Sequence, residues 1–162
     1  MMIRKAVPAD AYQLADLMKH VEESDYMLFE PGERKTTAEQ LEKRLSAAAE
    51  ESVVLVAEVE SELIGYLFAV GEGIRRKQHS VYIAIGIREN ERGKGRGTRL
   101  FQAMEEWAKE KGIHRIELTV LEYNRDAIFL YEKMGFEVEG IKRDSLWING
   151  SYANELYMSK LL

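Results

Sequence analysis

The chain has 162 residues, 46% of them hydrophobic, no cysteine, and a formal net charge of −5 at pH 7. That length fits one domain with its own core, and the missing thiols exclude disulfides, thiolate nucleophiles and thiolate metal sites. The acidic balance argues against general nucleic-acid binding, which favours a basic surface, and no stretch approaches the roughly 20 apolar residues a membrane helix needs.

The elements follow in chain order. Residues 2–7 form a short β-like run ending at Pro8, and Asp10 is placed to cap a first helix with Leu14, Leu17, Met18 and Val21 on one face. Residues 24–36 read as a loop around Pro31-Gly32. Thr37 and Gln40 make a capping box for a second helix, with Ala38, Leu41, Leu45 and Ala48 as its apolar face. Residues 53–59 and 63–70 are β-rich runs separated by Glu60, Ser61 and Glu62, a hairpin pattern. Residues 71–78 form a basic, glycine-containing loop, and 80–87 form a strand uncharged on both faces, the mark of a central strand.

Residues 98–111 form a helix with Leu100, Ala103, Met104, Trp107 and Ala108 on one side, stopped by Gly112. Residues 115–121 form a strand. Asn124 caps a helix reaching Met134, stopped by Gly135. Residues 136–143 and 152–161 are late strands, with Asn149-Gly150 between them as a turn signal. The order β-α-α-β-β-β-α-β-α-β-β, with adjacent strands interleaved with βαβ units, implies an α/β fold: a mixed sheet with helices on its faces.

Between the central strand and the helix that follows lies Arg92-Gly93-Lys94-Gly95-Arg96-Gly97-Thr98. Three glycines in five positions let backbone N–H groups converge. The next helix aims its positive end at the same point, and Arg92, Lys94 and Arg96 add positive charge. This combination suits a diphosphate. The dinucleotide fingerprint fails because its third glycine position falls on Thr98, and the P-loop fails because Gly95 follows Lys94 and Arg88 stands at the first glycine.

The pattern that fits is [QR]-x-x-G-x-[GA], as Arg92-x-x-Gly95-x-Gly97, and it resembles the acetyl-CoA loop of the GNAT superfamily of N-acetyltransferases. A second segment, Val120-x-x-x-Asn124-x-x-Ala127-x-x-x-Tyr131-x-x-x-Gly135-Phe136, is similar to the family's Asn-plus-Tyr helix; its Asn and Tyr lie two helical turns apart on one side. The resemblance spans about residues 80–136. It implies one GNAT-type domain over residues 1–162, with a mixed, mostly antiparallel sheet flanked by about four helices.

It further implies acetyl-CoA as cosubstrate. The loop from Arg92 to Thr98 would hold the pyrophosphate, the backbone of Ile85 and Ile87 the pantetheine arm, and Asn124 and Tyr131 would lie near the pantetheine and the sulfur. The implied reaction is acetyl transfer to a primary amine by direct attack in a ternary complex. Such a reaction needs a neutral amine, a donor for the oxyanion, supplied by a backbone N–H near Ile87, and a proton for the departing thiolate. Tyr131 suits the last task, since its hydroxyl is a neutral donor at pH 7. Glu117 and Thr119 share the strand face opposite Ile116, Leu118 and Val120, which makes Glu117 the candidate base; some protein N-terminal acetyltransferases carry a Glu where this chain has Thr119. The alternative reading is a GNAT-fold module that binds acyl-CoA without turnover.

The resemblance also implies an acceptor that is a small-molecule amine or a protein N-terminus, in a site walled by the 24–36 loop, which here holds Asp25, Tyr26, Phe29, Glu30 and Glu33, and by the last hairpin, which holds Trp147 and Tyr152. Carboxylates with aromatics suit a cation. No metal is expected, because His20, His79 and His114 lack zinc-like spacing. The N-terminus has no apolar signal region, so a cytoplasmic location is expected. No nucleic-acid or membrane partner is expected, and a homodimer is compatible with the sequence.

Overall fold

The structure, a computed structural model, describes residues 1–47 and 50–162. It contains strands β1 (Met2–Lys5), β2 (Val53–Val59), β3 (Glu62–Gly71), β4 (Ser80–Ile87), β5 (Arg115–Leu121), β6 (Glu137–Ile148) and β7 (Ser151–Leu161), with helices α1 (Ala11–Val21), α2 (Ala38–Ser46), α3 (Arg96–Glu110) and α4 (Arg125–Lys133). The strands join in one sheet of order β1-β2-β3-β4-β5-β7-β6. Every pairing is antiparallel except β4 with β5. The mixed, mostly antiparallel sheet anticipated from the sequence is therefore present, and β4 lies at its centre.

Local chemistry accounts for the element boundaries. Glu60 and Ser61 both adopt positive φ, 50° and 68°, which matches the tight twist of a two-residue hairpin turn between β2 and β3. Asn149 and Gly150 do the same between β6 and β7, at 50° and 83°. Thr37 Oγ1 accepts from the Gln40 N–H at 3.2 Å while the Gln40 side chain accepts from the Thr37 N–H at 3.0 Å, completing the expected capping box. Ala48, expected on the apolar face of α2, lies outside the described residues.

The start of α1 differs from the sequence reading. Asp10 occupies the N-cap position but makes no capping bond. The turn over Pro8–Asp10 holds it at φ −80°, ψ −9°, so its carboxylate points back to β1. There it accepts from the Val7 N–H at 2.7 Å and from both terminal nitrogens of Arg4 at 2.8 Å. The sixth strand also outruns its expected end: it continues to Ile148 through an irregularity between Lys142 and Leu146, where Asp144 adopts φ 48°.

Apolar residues are buried on both faces of the sheet. On one, Leu100, Phe101, Met104, Trp107 and Ala108 of α3 pack on Leu55, Leu67, Val81, Ile83, Ile116 and Leu118, with Tyr131 and Phe136 at the edge. On the other, Leu14, Leu17, Met18 and Val21 of α1 and Leu41 of α2 cover Val56, Tyr66 and Phe68. Each cluster removes apolar surface from water at about 25 cal/mol per Å².

The centre of the sheet is split. β4 pairs with β5 only through Ser80↔Arg115, Val81↔Ile116 and Tyr82↔Glu117. β4 stays bound to β3 as far as Gly65↔Ile87, and β5 stays bound to β7 as far as Leu121↔Glu155. A gap therefore opens beyond Tyr82. The Arg88 N–H donates to Ile64 O at 2.9 Å. In an antiparallel ladder alternate residues face the partner, so Gly86 and Ala84 turn their backbone groups to β3, and Ile85 and Ile87 turn theirs to the gap.

Candidate active site

The gap is part of a cleft of about 1020 Å³ that runs through the sheet. Gly86 narrows nothing there, and it has to be glycine: a Cβ would lie 2.5 Å from Tyr66 Cζ, and Tyr66 is buried beneath it. The cleft has one side at α3 and α4 and another over the face of β5, β7 and β6.

The first side is built by the glycine loop. Gly93 and Gly95 adopt φ 71° and 75°, and nothing lies within 4 Å of a Cβ placed on either, so bare backbone faces open space. Gly97 is buried, with Leu130 Cδ2 2.8 Å from where its Cβ would be, so glycine brings α3 and α4 close together. The Arg99 N–H donates to Gly95 O at 3.2 Å. The N–H groups of Arg96, Gly97 and Thr98 precede that first helical bond and stay open to a ligand. Glu91 bonds to Lys94 at 3.1 Å and to the Arg96 guanidinium at 3.0 and 3.2 Å, and this holds its carboxyl below the usual range. Lys94 is turned to Glu91 and does not line the cleft, whereas Arg92, with Nε on Ile87 O at 3.1 Å, and Arg96 do.

Asn124 caps α4 by accepting the Ala127 N–H at 3.3 Å, and it lines the cleft as well. Tyr131, seven residues on, is buried between the cleft and the core. Its ring meets Phe101 edge-on at 5.6 Å. Burial, and secondarily Tyr82, push its hydroxyl well above the ordinary tyrosine range, so it stays protonated. Ile85, Ile87, Arg92, Gly93, Gly95, Arg96, Gly97, Thr98, Asn124 and Tyr131 thus lie along one cleft.

The second side contains residues that the motifs did not single out. Tyr82 hydroxyl and Thr119 Oγ1 are 2.8 Å apart on its floor, and Thr119 pairs with Tyr157 across β5 and β7. Glu155, Lys142 and Leu146 continue the floor toward β6. The period-2 alternation of β7 puts Glu155 and Tyr157 on one face, which was the available sequence signal. The roof comes from the 24–36 loop: Tyr26, Met27, Leu28 and Phe29 line the cleft. Arg34 bonds to the fully buried carboxylate of Glu22 and lies 4.3 Å from the centre of the Phe29 ring. Tyr123 fastens the loop through its hydroxyl on Asp25 O at 2.8 Å and a tilted ring contact with Tyr26 at 5.6 Å.

Other expected residues are elsewhere. Glu117 does not line the cleft; its carboxylate accepts from Arg115 Nε at 2.8 Å, below the point where β4 and β5 part. Glu30 and Glu33 are away from the cleft too, and Glu33 closes the loop's own turn by accepting the Glu30 N–H at 2.8 Å. Asp25 and Tyr152 line an adjoining side pocket of about 760 Å³, and Trp147 packs edge-on against Tyr152 at 4.8 Å. Among the described residues no helix is long and apolar enough to cross a membrane.

Comparison with known proteins gives the family and the fold. The chain matches the Acetyltransferase (GNAT) family over residues 14–136, and it belongs to that family. It is 31% identical over 111 residues to the L-amino acid N-acetyltransferase AaaT of Escherichia coli, covering 66% of this chain and 67% of that protein. It is 32% identical over 93 residues to an L-methionine sulfoximine/L-methionine sulfone acetyltransferase of Pseudomonas aeruginosa, covering 54% of this chain and 52% of that one. The matched stretches thus span between about half and two thirds of these relatives' length. A solved GNAT-family acetyltransferase from Streptococcus pneumoniae superposes with a TM-score of 0.93 at 28% identity, covering 99% of this chain and 98% of that one.

Proposed function

We propose that the protein transfers an acetyl group from acetyl-CoA to a primary amine by direct attack in a ternary complex. The observation that carries this reading is the continuity of the cleft. Bare glycine backbone at an α3 N-terminus leads along the open edge of β4 to the Tyr131 hydroxyl. The lining fits acetyl-CoA: the N–H groups of Arg96, Gly97 and Thr98 with the Arg92 and Arg96 side chains suit a diphosphate. The backbone groups of Ile85 and Ile87 suit the amide-bearing pantetheine arm, pairing with it as an added strand would, and Asn124 adds a polar contact beside them.

Acetyl-CoA supplies the activated acetyl thioester. A backbone N–H near Ile87, at the open edge of β4, is the donor for charge that develops on the acetyl oxygen. Tyr131 donates its hydroxyl proton to the sulfur as thiolate character develops; burial makes a lasting tyrosinate costly, so the proton is replaced as it leaves. The acceptor enters from the side floored by Thr119, Tyr157 and Glu155 and roofed by Tyr26 and Phe29. An amino acid is the favoured acceptor class, supported by the names of the Escherichia coli and Pseudomonas aeruginosa relatives; a protein N-terminus presents the same α-amine.

The test is CoA release and product mass over a panel: L-methionine sulfone, L-methionine sulfoximine, other L-amino acids, spermidine and an alanine-starting peptide. The reading predicts turnover with at least one α-amine. Tight acetyl-CoA binding with no acetylated product from any member would instead make the chain a non-catalytic acyl-CoA-binding module.

A further inference from the structure

Each acetyl transfer releases one proton from the amine nitrogen, and a group in the cleft must receive it. Carboxylates and histidines are the candidates. Among the described residues no histidine lines the cleft, and four carboxylates do: Glu22, Glu91, Asp126 and Glu155. Glu22 is buried at 2% exposure and held by Arg34. Glu91 is held by Lys94 and Arg96 at the glycine loop. Asp126 is in the first turn of α4, on the α3 and α4 side of the cleft and not on the strand floor. Glu117, the sequence's own candidate, is outside the cleft and paired with Arg115.

We infer that Glu155, on the floor of the acceptor side, takes the amine proton, directly or through one water. This rests on the acetyltransferase reading above. Glu155 is half-buried on β7, opposite Leu121 of β5 and Lys142 of β6. Its Oε1 accepts from the Ser145 hydroxyl, which fixes the side chain; no other hydrogen-bond donor reaches it among the described residues. Oε2 is therefore available. Tyr157 is two positions along the same face, roughly 6.6 Å at the rise of a strand, and Tyr157 pairs across to Thr119. The irregularity of β6 between Lys142 and Leu146 is what brings Ser145 to Glu155.

The balance is complete. An amine that arrives as ammonium first passes one proton through Glu155 to solvent, which frees the nitrogen lone pair. As that lone pair forms the C–N bond the C–S bond breaks, the nitrogen gives its next proton to Glu155, and the sulfur receives one from Tyr131. Glu155 then returns its proton to solvent and Tyr131 regains one, so no other reactant is needed.

The test is Glu155→Gln, which keeps volume and an acceptor for Ser145, assayed from pH 6 to 10 with L-methionine sulfone or the fastest member of the panel. An α-amine titrates at about 8, so it needs a base most at low pH. The expected result is a loss of kcat/KM of about 10²-fold at pH 6–7 that shrinks steadily as pH rises. Acetyl-CoA affinity and melting temperature should stay at wild-type values, Glu155→Asp should recover part of the activity, and Glu117→Gln should follow the wild-type profile. Glu155→Gln and wild-type profiles that superimpose, or a loss equal at every pH, overturn the assignment. Wild-type turnover in the same plate separates that failure from failure of the acetyltransferase reading.

Discussion

Replacing Gly95 by aspartate tests the diphosphate site by adding one charge to an otherwise open position. Gly95 adopts φ 75°, ψ 8°, and no atom lies within 4 Å of a Cβ built there. Steric damage to the fold is therefore absent, and the conformational cost of an L residue in the left-handed region is about 1–2 kcal/mol, less for aspartate, which tolerates that region. The effect on binding is larger. A carboxylate about 4 Å from a phosphate charge, at an effective dielectric constant near 20, is repelled by about 4 kcal/mol. Exposure of the loop to solvent reduces this to roughly 2.7 kcal/mol, or a 100-fold rise in the CoA dissociation constant. Gly95→Ala separates shape from charge and should weaken binding by less than about 10-fold. Isothermal titration with CoA reads both variants, and thermal melting confirms that they fold. Raising the salt should narrow the gap between aspartate and alanine, since the difference is Coulombic. A folded Gly95→Asp protein that binds CoA within about 3-fold of wild type would refute the site.

Tyr131→Phe keeps the edge contact with Phe101 and removes only the hydroxyl; kcat should fall by about 10²–10³-fold with acetyl-CoA affinity nearly unchanged, and a near-normal kcat where chemistry limits the rate would remove Tyr131 as the acid. Gly86→Ala drives a methyl to 2.5 Å from a buried tyrosine ring, and should lower the melting temperature by roughly 3–10 °C, the equivalent of about 1–3 kcal/mol; an unchanged melt would mean that Tyr66 can retreat. Arg4→Met removes the partner that holds the Asp10 carboxyl below its ordinary value. A depressed carboxyl contributes stability above its unfolded value and loses it as pH falls through its folded one. The deficit, about 2 kcal/mol at neutral pH, should vanish in acid, and a urea midpoint deficit that persists there would contradict the ion-pair account.

The sequence by itself determined the parts of this protein that depend on local chemistry. Period-2 and period-3.6 apolar patterns located the strands and helices, Thr37 with Gln40 and Asn124 marked helix starts, and Asn149-Gly150 marked the last hairpin. The glycine loop was legible because positive φ at Gly93 and Gly95 restricts the residue type. Asn124 and Tyr131 were picked out by their resemblance to the family's Asn-plus-Tyr helix, and helical spacing puts them on one side. Tertiary structure decided what depends on strands meeting across long separations. Asp10 could have capped α1, and Arg4, on a paired strand, drew its carboxylate away. Glu117 and Glu155 are both acidic residues on alternating strands, 38 positions apart in the numbering. What separates them is the level at which β4 parts from β5: Glu117 lies where the strands still pair and meets Arg115, whereas Glu155, one strand further on β7, sits opposite Leu121 at the level where they have parted and lines the cleft. That level is set by how far β3 holds β4 and β7 holds β5, a competition between backbone ladders that a residue pattern does not encode.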